Sequence, residues 1–444
     1  MIENHPALQP HKQYERQSVA PSQGTQQFSD LGHSKACTVS RSGQRWQAPE
    51  WPRIKGALGS EKRVSMQAER GELSITQVQT GGQLRDFLQL PAALYAGDPN
   101  WIAPLGLEQR QRYSKKNPLF QHATWCAWVA YRNRRAVGRI TAQIDRLYLE
   151  RHRDNTGHFG SLEAEDDREV FAVLFEAAQH WLRSAGMQRV TGPFNLSVNE
   201  ECGLLVEGFD TPPCIMMGHA RPFYRQQIEA LGFNKAKDLL AYHMAPDFEA
   251  PRVMRTLAER ASDRVHVRPL KRKALSDELE LLRDIFNDAW SENWGFVPFT
   301  EAEFNEVGKA MTLLLDDDFV QIAEVDGEAA GMIIALPNVN EAIRDLHGRL
   351  LPFGWARLLW RLKVRYPRSG RVPLMGVRKK YQHSRLGPAL AFMLIDTLRW
   401  PVIRRGISEV EMSWILEDNS GIRNIIESVG GIAYKRYRLY EKHL

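Results

Sequence analysis

Residues 195–201 read Asn-Leu-Ser-Val-Asn-Glu-Glu, the best cluster of polar side chains for proton transfer and head-group binding in the chain. Asn195, Ser197, Asn199 and Glu201 alternate, so an extended backbone turns all four to one side. They follow a Gly-Pro, which puts them on a loop at a sheet end. Glu201 is then a candidate base and the other three a cradle for a polar head group; a hydrogen-bonded turn is the plain structural alternative. His219 follows the apolar run Cys-Ile-Met-Met-Gly. It is a second candidate base, or a core histidine with satisfied nitrogens. Glu411 is a third, on an alternating strand where it shares a face with Ser413. Tyr437 and Tyr440 are phenols that can donate a proton or simply pack. Arg139 and Asp145 form an ion pair or line a cleft. Such groups suit a reaction that needs a proton removed, an oxyanion stabilised and a leaving group released. No Ser/His or Cys/His pairing is visible, so direct attack without a covalent enzyme intermediate is expected.

A second constellation is Val377-Arg-Lys-Lys-Tyr-Gln-His-Ser-Arg-Leu-Gly-Pro-Ala-Leu390. A loop that opens a helix offers unpaired N–H groups and a positive dipole end to a pyrophosphate. Gly387 allows close approach of the backbone. Pro388 fits the first helical turn, where its missing N–H costs little. The cysteines (Cys37, Cys126, Cys202, Cys214) make no CxxC pair and no zinc spacing, so no metal is expected and the thiols are read as reduced.

The elements that position these residues repeat. A strand at 73–78, a helix at 84–95, a hairpin 124–131/136–144, a strand at 159–165, an amphipathic helix 168–185, a strand from Arg189, a helix 222–230 and a strand 239–244 form one series. A strand at 264–270, a helix 276–290, a hairpin around Asp326-Gly327, a strand 373–381, a helix 388–400, a strand 409–416, a helix 419–429 and a strand 432–440 form the next. Two α/β units of the α+β kind are predicted, each a mixed, mostly antiparallel sheet flanked by helices. Their bounds are residues 72–247 and 262–444, after a polar tail at 1–71 with a possible docked piece at 46–54.

This order resembles the GNAT acyltransferase superfamily in tandem, with the pyrophosphate loop in the second unit. The resemblance implies acyl-CoA as co-substrate, bound by Val377, Arg378, Gln382, Arg385, Leu386, Gly387, Pro388, Ala389 and Asn419. Arg385 replaces a motif glycine, and Ile426 stands where many GNATs carry a tyrosine acid. The matching stretch in the first unit, 161–170, has no glycine and several acids, so CoA is expected only in the second. The runs 117–123, 138–145, 192–210, 235–242 and 293–296 resemble a bacterial acyltransferase family that includes bacterial ceramide synthases. That implies an N-acyltransferase of lipid metabolism, making an amide on an amine such as a long-chain sphingoid base. The alternatives are a FemX-type aminoacyl-tRNA-dependent ligase and a non-catalytic pair that senses acyl-CoA or lipid.

Charge bears on partners. The net charge is +6, yet residues 344–380 alone carry eleven Lys/Arg and one acid. This concentration weakens a whole-protein nucleic-acid reading. Within an insertion at 344–371, Leu351, Trp355, Leu358 and Leu362 make an apolar stripe, and Arg357, Arg361 and Arg365 a basic one. Such a helix suits an anionic membrane surface through residues 350–365. The polar start and the lack of 18 consecutive apolar residues predict a cytoplasmic protein, peripheral at the inner face of a membrane.

Overall fold

The computed structural model describes residues 71–444. The expected tail, with Cys37 and the 46–54 piece, lies outside the described residues except for Gly71. The described chain runs β1 (Leu73–Gln77), α1 (Gly81–Leu94), α2 (Gly106–Arg112), β2 (Ala123–Arg132), β3 (Arg135–Asp145), β4 (Thr156–Ala164), α3 (Arg168–Ser184), β5 (Arg189–Gly192), β6 (Phe194–Asn195), β7 (Glu201–Cys202), β8 (Leu204–Glu207), α4 (Phe223–Ala230) and β9 (Asn234–Met244). It continues through α5 (Arg252–Ala261), β10 (Val265–Pro269), α6 (Leu275–Ala289), α7 (Glu301–Leu314), β11 (Val320–Val325), β12 (Glu328–Pro337), α8 (Gly354–Trp360), β13 (Ser369–Val377), α9 (Leu386–Arg404), β14 (Glu409–Leu416), α10 (Ser420–Ser428) and β15 (Ile432–His443).

Local chemistry accounts for several boundaries. Thr80 and Gln83 form a reciprocal capping box that starts α1. Asp167 caps α3 by accepting from Glu169 N. Thr300 and Glu303 cap α7, with Glu303 accepting from Thr300 N at 3.0 Å and Thr300 Oγ1 accepting from Glu303 N at 3.3 Å. Two expectations change. The strand expected over 373–381 begins at Ser369 and ends at Val377, and Lys379–Gln382 is a short helical turn. Helix α7 was not foreseen.

One mixed sheet of 13 strands carries both halves, in the order β1-β2-β3-β4-β5-β15-β9-β14-β13-β12-β11-β10, with β8 also on β15. The final strands are exchanged. β15, from the C-terminal half, pairs with β5 of the N-terminal half. β9, from the N-terminal half, pairs with β14. The two exchanged strands pair with each other from Ile432↔His243 to Glu441↔Asn234. A core lies on each side of this seam, one packing α3 on β2–β5 and one packing α6 and α9 on β10–β14. Helix α9 has the length and composition of a membrane-crossing helix. Leu390, Leu394 and Leu398 are nevertheless buried in the C-terminal core.

Candidate active site

β13 and β14 run parallel only from Ser369↔Glu409 to Val372↔Met412. Pro373 follows and has no N–H to give the ladder, and from there β13 keeps only β12 and β14 only β9. The strands part into a wedge. Beside it lies a cavity of about 280 Å³ whose wall includes Pro373, Leu374, Trp414 and Leu416 of the wedge. α6, α7 and the sheet supply an apolar wall through Leu279, Leu282, Phe286, Phe304, Val320 and Ile334. Polar residues complete the lining: Ser197, Asn199, Glu200, Glu303 and Arg371.

The N-terminal half has the matching parallel pair, β4 and β5, joined from Thr156↔Arg189 to His158↔Thr191. Its wedge is filled by the chain itself. Gln143 Nε2 donates to Phe194 O at 2.7 Å, and Ser161 N donates to Asn195 Oδ1 at 2.8 Å. A Cβ on Gly160 would lie 1.7 Å from Phe194 O, so only glycine fits there. The β6–β7 hairpin thus plugs one wedge and carries Ser197, Asn199 and Glu200 to the wall of the cavity beside the other.

A buried charge cluster sits under the open wedge. Arg371 is 0% exposed; its Nε donates to Ser413 Oγ at 2.8 Å and its Nη1 to Ile215 O at 2.9 Å. Its guanidinium lies over the Trp414 ring and 3.6 Å from Glu411. Glu411, also buried, accepts from Ser413 Oγ at 2.6 Å and from the Tyr434 hydroxyl. Lys435 donates to Gly208 O and Thr211 O, and burial brings its pKa down to about 8. Tyr437 is fully buried, its hydroxyl has no hydrogen-bond partner among the described residues, and burial followed by the nearby Glu411 charge keeps that phenol protonated.

The polar lining is acidic and internally paired. Arg112 lies 2.7 Å from Glu200 and 3.3 Å from Glu201, and its Nη2 donates to Asn195 O at 2.9 Å. Glu201 also accepts from Asn195 Nδ2 at 2.9 Å. Burial would raise the Glu201 pKa, but Arg112 and Asn195 outweigh it and hold the carboxylate below its usual range. Glu200 goes the other way. Burial raises its pKa, Arg112 opposes, and the negative charges of Glu201 and Glu303 raise it further. Glu303 faces His122 Nε2 at 3.2 Å, off the N–H line and so an ion pair, while Asp145 meets His122 Nδ1 at 2.9 Å. Burial alone would lower the His122 pKa; the two carboxylates outweigh it and hold it at about 9.

The loop 377–387 folds as a helix entrance. Gln382 Nε2 donates to Val377 O, Arg378 pairs with Asp284 at 2.6 Å, and Leu386 N donates to Ser384 Oγ. No side chain caps α9, and Arg385 is exposed at its first turn, so the terminus fits an anionic phosphate. A Cβ on Gly387 would lie 2.7 Å from Tyr381 O and 2.8 Å from Gln382 O. Gly387 is therefore required by the folding of the loop on itself. Pro388 is exposed in the first turn and Ala389 is buried. Asn419 accepts from Ile422 N at 3.2 Å as the cap of α10, and Ile426 is buried against Gly431.

The remaining residues singled out in the sequence fall as follows. Ser197 and Asn199 line the cavity; Asn195 and Glu201 stand behind it. His219 is outside the wall, its Nε2 3.1 Å from Asp98 and its pKa lowered by burial. Arg139 donates to Phe87 O, while Asp145 serves His122 and Leu147 N, so each has its own partner. Tyr440 hydrogen-bonds Glu229. Cys126 and Cys202 are buried thiols pushed up to about 12, and Cys214 is buried with its pKa raised well above a thiol's usual value. Sequence reasoning passed over Glu200, Glu303 and Arg371. A signal existed for Glu303: Thr300-x-x-Glu303 is a capping box, which announces a helix at 301.

An open wedge, an uncapped helix start and a cavity, on a sheet built from two similar halves, define an N-acyltransferase of the tandem GNAT class. The chain belongs to the tandem GNAT acyltransferase family that includes bacterial ceramide synthases. It is 51% identical over 362 residues to Protein YghO of Escherichia coli (strain K12), spanning 81% of this chain and 93% of that one. It is 47% identical over 376 residues to the bacterial ceramide synthase of Caulobacter vibrioides (strain NA1000 / CB15N), spanning 84% of this chain and 98% of the relative. No family model matches. Among solved structures, a GCN5-related glucosamine N-acetyltransferase region of a fungal multi-domain GH3 β-N-acetylglucosaminidase shares the fold, with TM-score 0.52 and 14% identity over 84% of this chain and 38% of that longer one.

Proposed function

We propose that the protein transfers a fatty acyl group from acyl-CoA to the amine of a long-chain sphingoid base, giving a ceramide-type amide. The observation that carries this is the cavity beside the open wedge, with an apolar wall and acidic residues in its lining. An acetyl group needs no such apolar length; an alkyl chain does. The pyrophosphate would sit at the start of α9 beside Arg385, and the thioester would enter the wedge at Pro373. The ammonium of the acceptor is drawn to Glu200 and Glu303, between Ser197 and Asn199. Glu200 takes the proton, since its raised pKa makes it a stronger base than an ordinary carboxylate. Tyr437 gives a proton to the departing thiolate. Arg371, held by Glu411 and Ser413, places positive charge near the reacting carbonyl. The N-terminal half would bind no CoA, because its wedge is plugged and the start of α3 already holds the Asp167 carboxylate.

The insertion would dock the enzyme on an anionic bilayer. Leu351, Phe353, Trp355, Leu359, Trp360 and Val364 are all more than half exposed there. Arg349, Lys363 and Arg365 stand among them, while Arg357 and Arg361 pair with Asp345. Tryptophan with free basic residues on one exposed face suits the interface of an anionic leaflet.

The test is a mass-spectrometric assay with palmitoyl-CoA and sphinganine, following free CoA and new amide together. Both rise with the native protein, and Arg385→Glu lowers both by weakening acyl-CoA binding. Release of CoA without amide, or no binding of acyl-CoA, would refute the proposal.

A further inference from the structure

The apolar wall of the cavity contains one glycine in a helix interior. Gly308 of α7 faces Leu279 of α6, and both line the cavity. A Cβ on Gly308 would come 2.5 Å from Leu279 Cδ2 and 3.0 Å from Cδ1. Glycine inside a helix costs roughly 0.5–1 kcal/mol relative to alanine. Gly308 has no positive φ to justify that cost. What the residue contributes is the missing side chain, whose space is taken by Leu279, so that Leu279 lies close against α7 at the cavity wall. Val307, next to it, is 41% exposed and also lines the cavity, so the cavity approaches solvent on this side. Glu200 and Arg371, the polar groups that would hold a reacting head, line the same cavity, so a chain with its head there would share it with Leu279 and Gly308.

We infer that Gly308 and Leu279 together set the length of the saturated alkyl chain the cavity accepts. Gly308 lets Leu279 lie back against α7, and a side chain at 308 would press Leu279 into the cavity. The chain belongs either to the acyl donor or to the amine, and only that choice rests on the acyl-transfer reading; binding of an alkyl chain does not. The rival account is that Gly308 serves only the packing of α6 on α7.

The experiment compares the full chain with Gly308→Val and Leu279→Ala. Binding of octanoic, dodecanoic and hexadecanoic acids, and of the matching alkylamines, is followed by fluorescence of Trp290, Trp294 and Trp414, which line the cavity. Transfer is then measured across acyl-CoA lengths. Each methylene denied a buried site weakens binding about fourfold. Gly308→Val therefore weakens the sixteen-carbon ligand about tenfold or more while sparing the eight-carbon one. Leu279→Ala moves the preference towards longer chains, and it serves alone if the valine variant does not fold. A shift in the acids and acyl-CoAs assigns the cavity to the donor chain; a shift confined to the amines assigns it to the acceptor. If binding shifts with length and no pair is turned over, the acyl-transfer reading fails and this inference stands. Equal loss at every length, an unchanged length profile with a lowered melting temperature, or no binding of any alkyl ligand would overturn it.

Discussion

Glu200 and Glu201 are neighbours in the chain and opposites in role. Both pair with Arg112, but Asn195 also donates to Glu201 and helps hold it ionised, whereas Glu200 reaches the cavity wall, and burial with two other carboxylates raises its pKa. Glu200→Gln should lower kcat about a hundredfold, within the usual range for a general base. A base works only when ionised, so the native rate should rise with pH through the raised Glu200 pKa. Glu200→Gln should abolish that limb, and Glu201→Gln should keep it; pH–rate profiles decide. Tyr437→Phe separates chemistry from packing. Removing a buried hydroxyl with no hydrogen-bond partner among the described residues should leave the melting temperature unchanged or higher. If the phenol is the acid, kcat should fall about tenfold or more all the same. The polar segment stood out in the sequence, but the alternation did not give its geometry: it folds as a hairpin in which Asn195 and Glu201 bond each other while Ser197 and Asn199 line the cavity. Which of two adjacent glutamates faces the cavity was not legible either, because Arg112 comes from a distant helix.

At the scale of elements, helix α7 is both a wall of the cavity and a link between the halves. His122 and Asp145 lie in the N-terminal half, Glu303 in α7, and the three meet while buried. The His122 pKa is raised to about 9, so its contribution is complete below the unfolded value near 6.5. It is lost as pH rises through 9, and thermal melts between pH 7 and 10 should show that decline. His122→Leu leaves two buried carboxylates without their cation and should cost about 3 kcal/mol at pH 7, with no decline of this origin above pH 8. The insertion makes a separate prediction. Trp355→Ser with Trp360→Ser should weaken binding to anionic vesicles about tenfold or more in flotation assays, leaving turnover of short soluble substrates unchanged. Its helical period was legible, but its orientation was not. Leu362 is the buried member of the expected stripe, while Leu351 and Trp355 are exposed together with Phe353, Leu359 and Val364, which the stripe did not include. Periodicity identifies an apolar face without saying whether protein or another phase covers it.

The whole molecule is held by the exchange of β9 and β15. Strand type and order along the chain could be read from alternation and turn residues, as at Asp326-Gly327. The exchange could not, since pairing partners such as Tyr440 and Gly192 lie far apart and carry no mutual signature. A chain ending at Gly431 lacks β15 and leaves β5, β8 and β9 with bare edges. It should be insoluble or show reduced β content by circular dichroism, even though the C-terminal half loses no strand that pairs directly with β10–β14.

The same seam sets a timetable for synthesis. The strand that closes the N-terminal half lies far downstream of β5 in the chain and leaves the ribosome long after it. At about 5–20 residues per second, the edge of β5 waits tens of seconds for its neighbour. During that interval the nascent first half offers an open, hydrogen-bonding border to any passing strand. Chaperone cover during translation, more than stability of the finished fold, should therefore govern how much active protein a cell obtains.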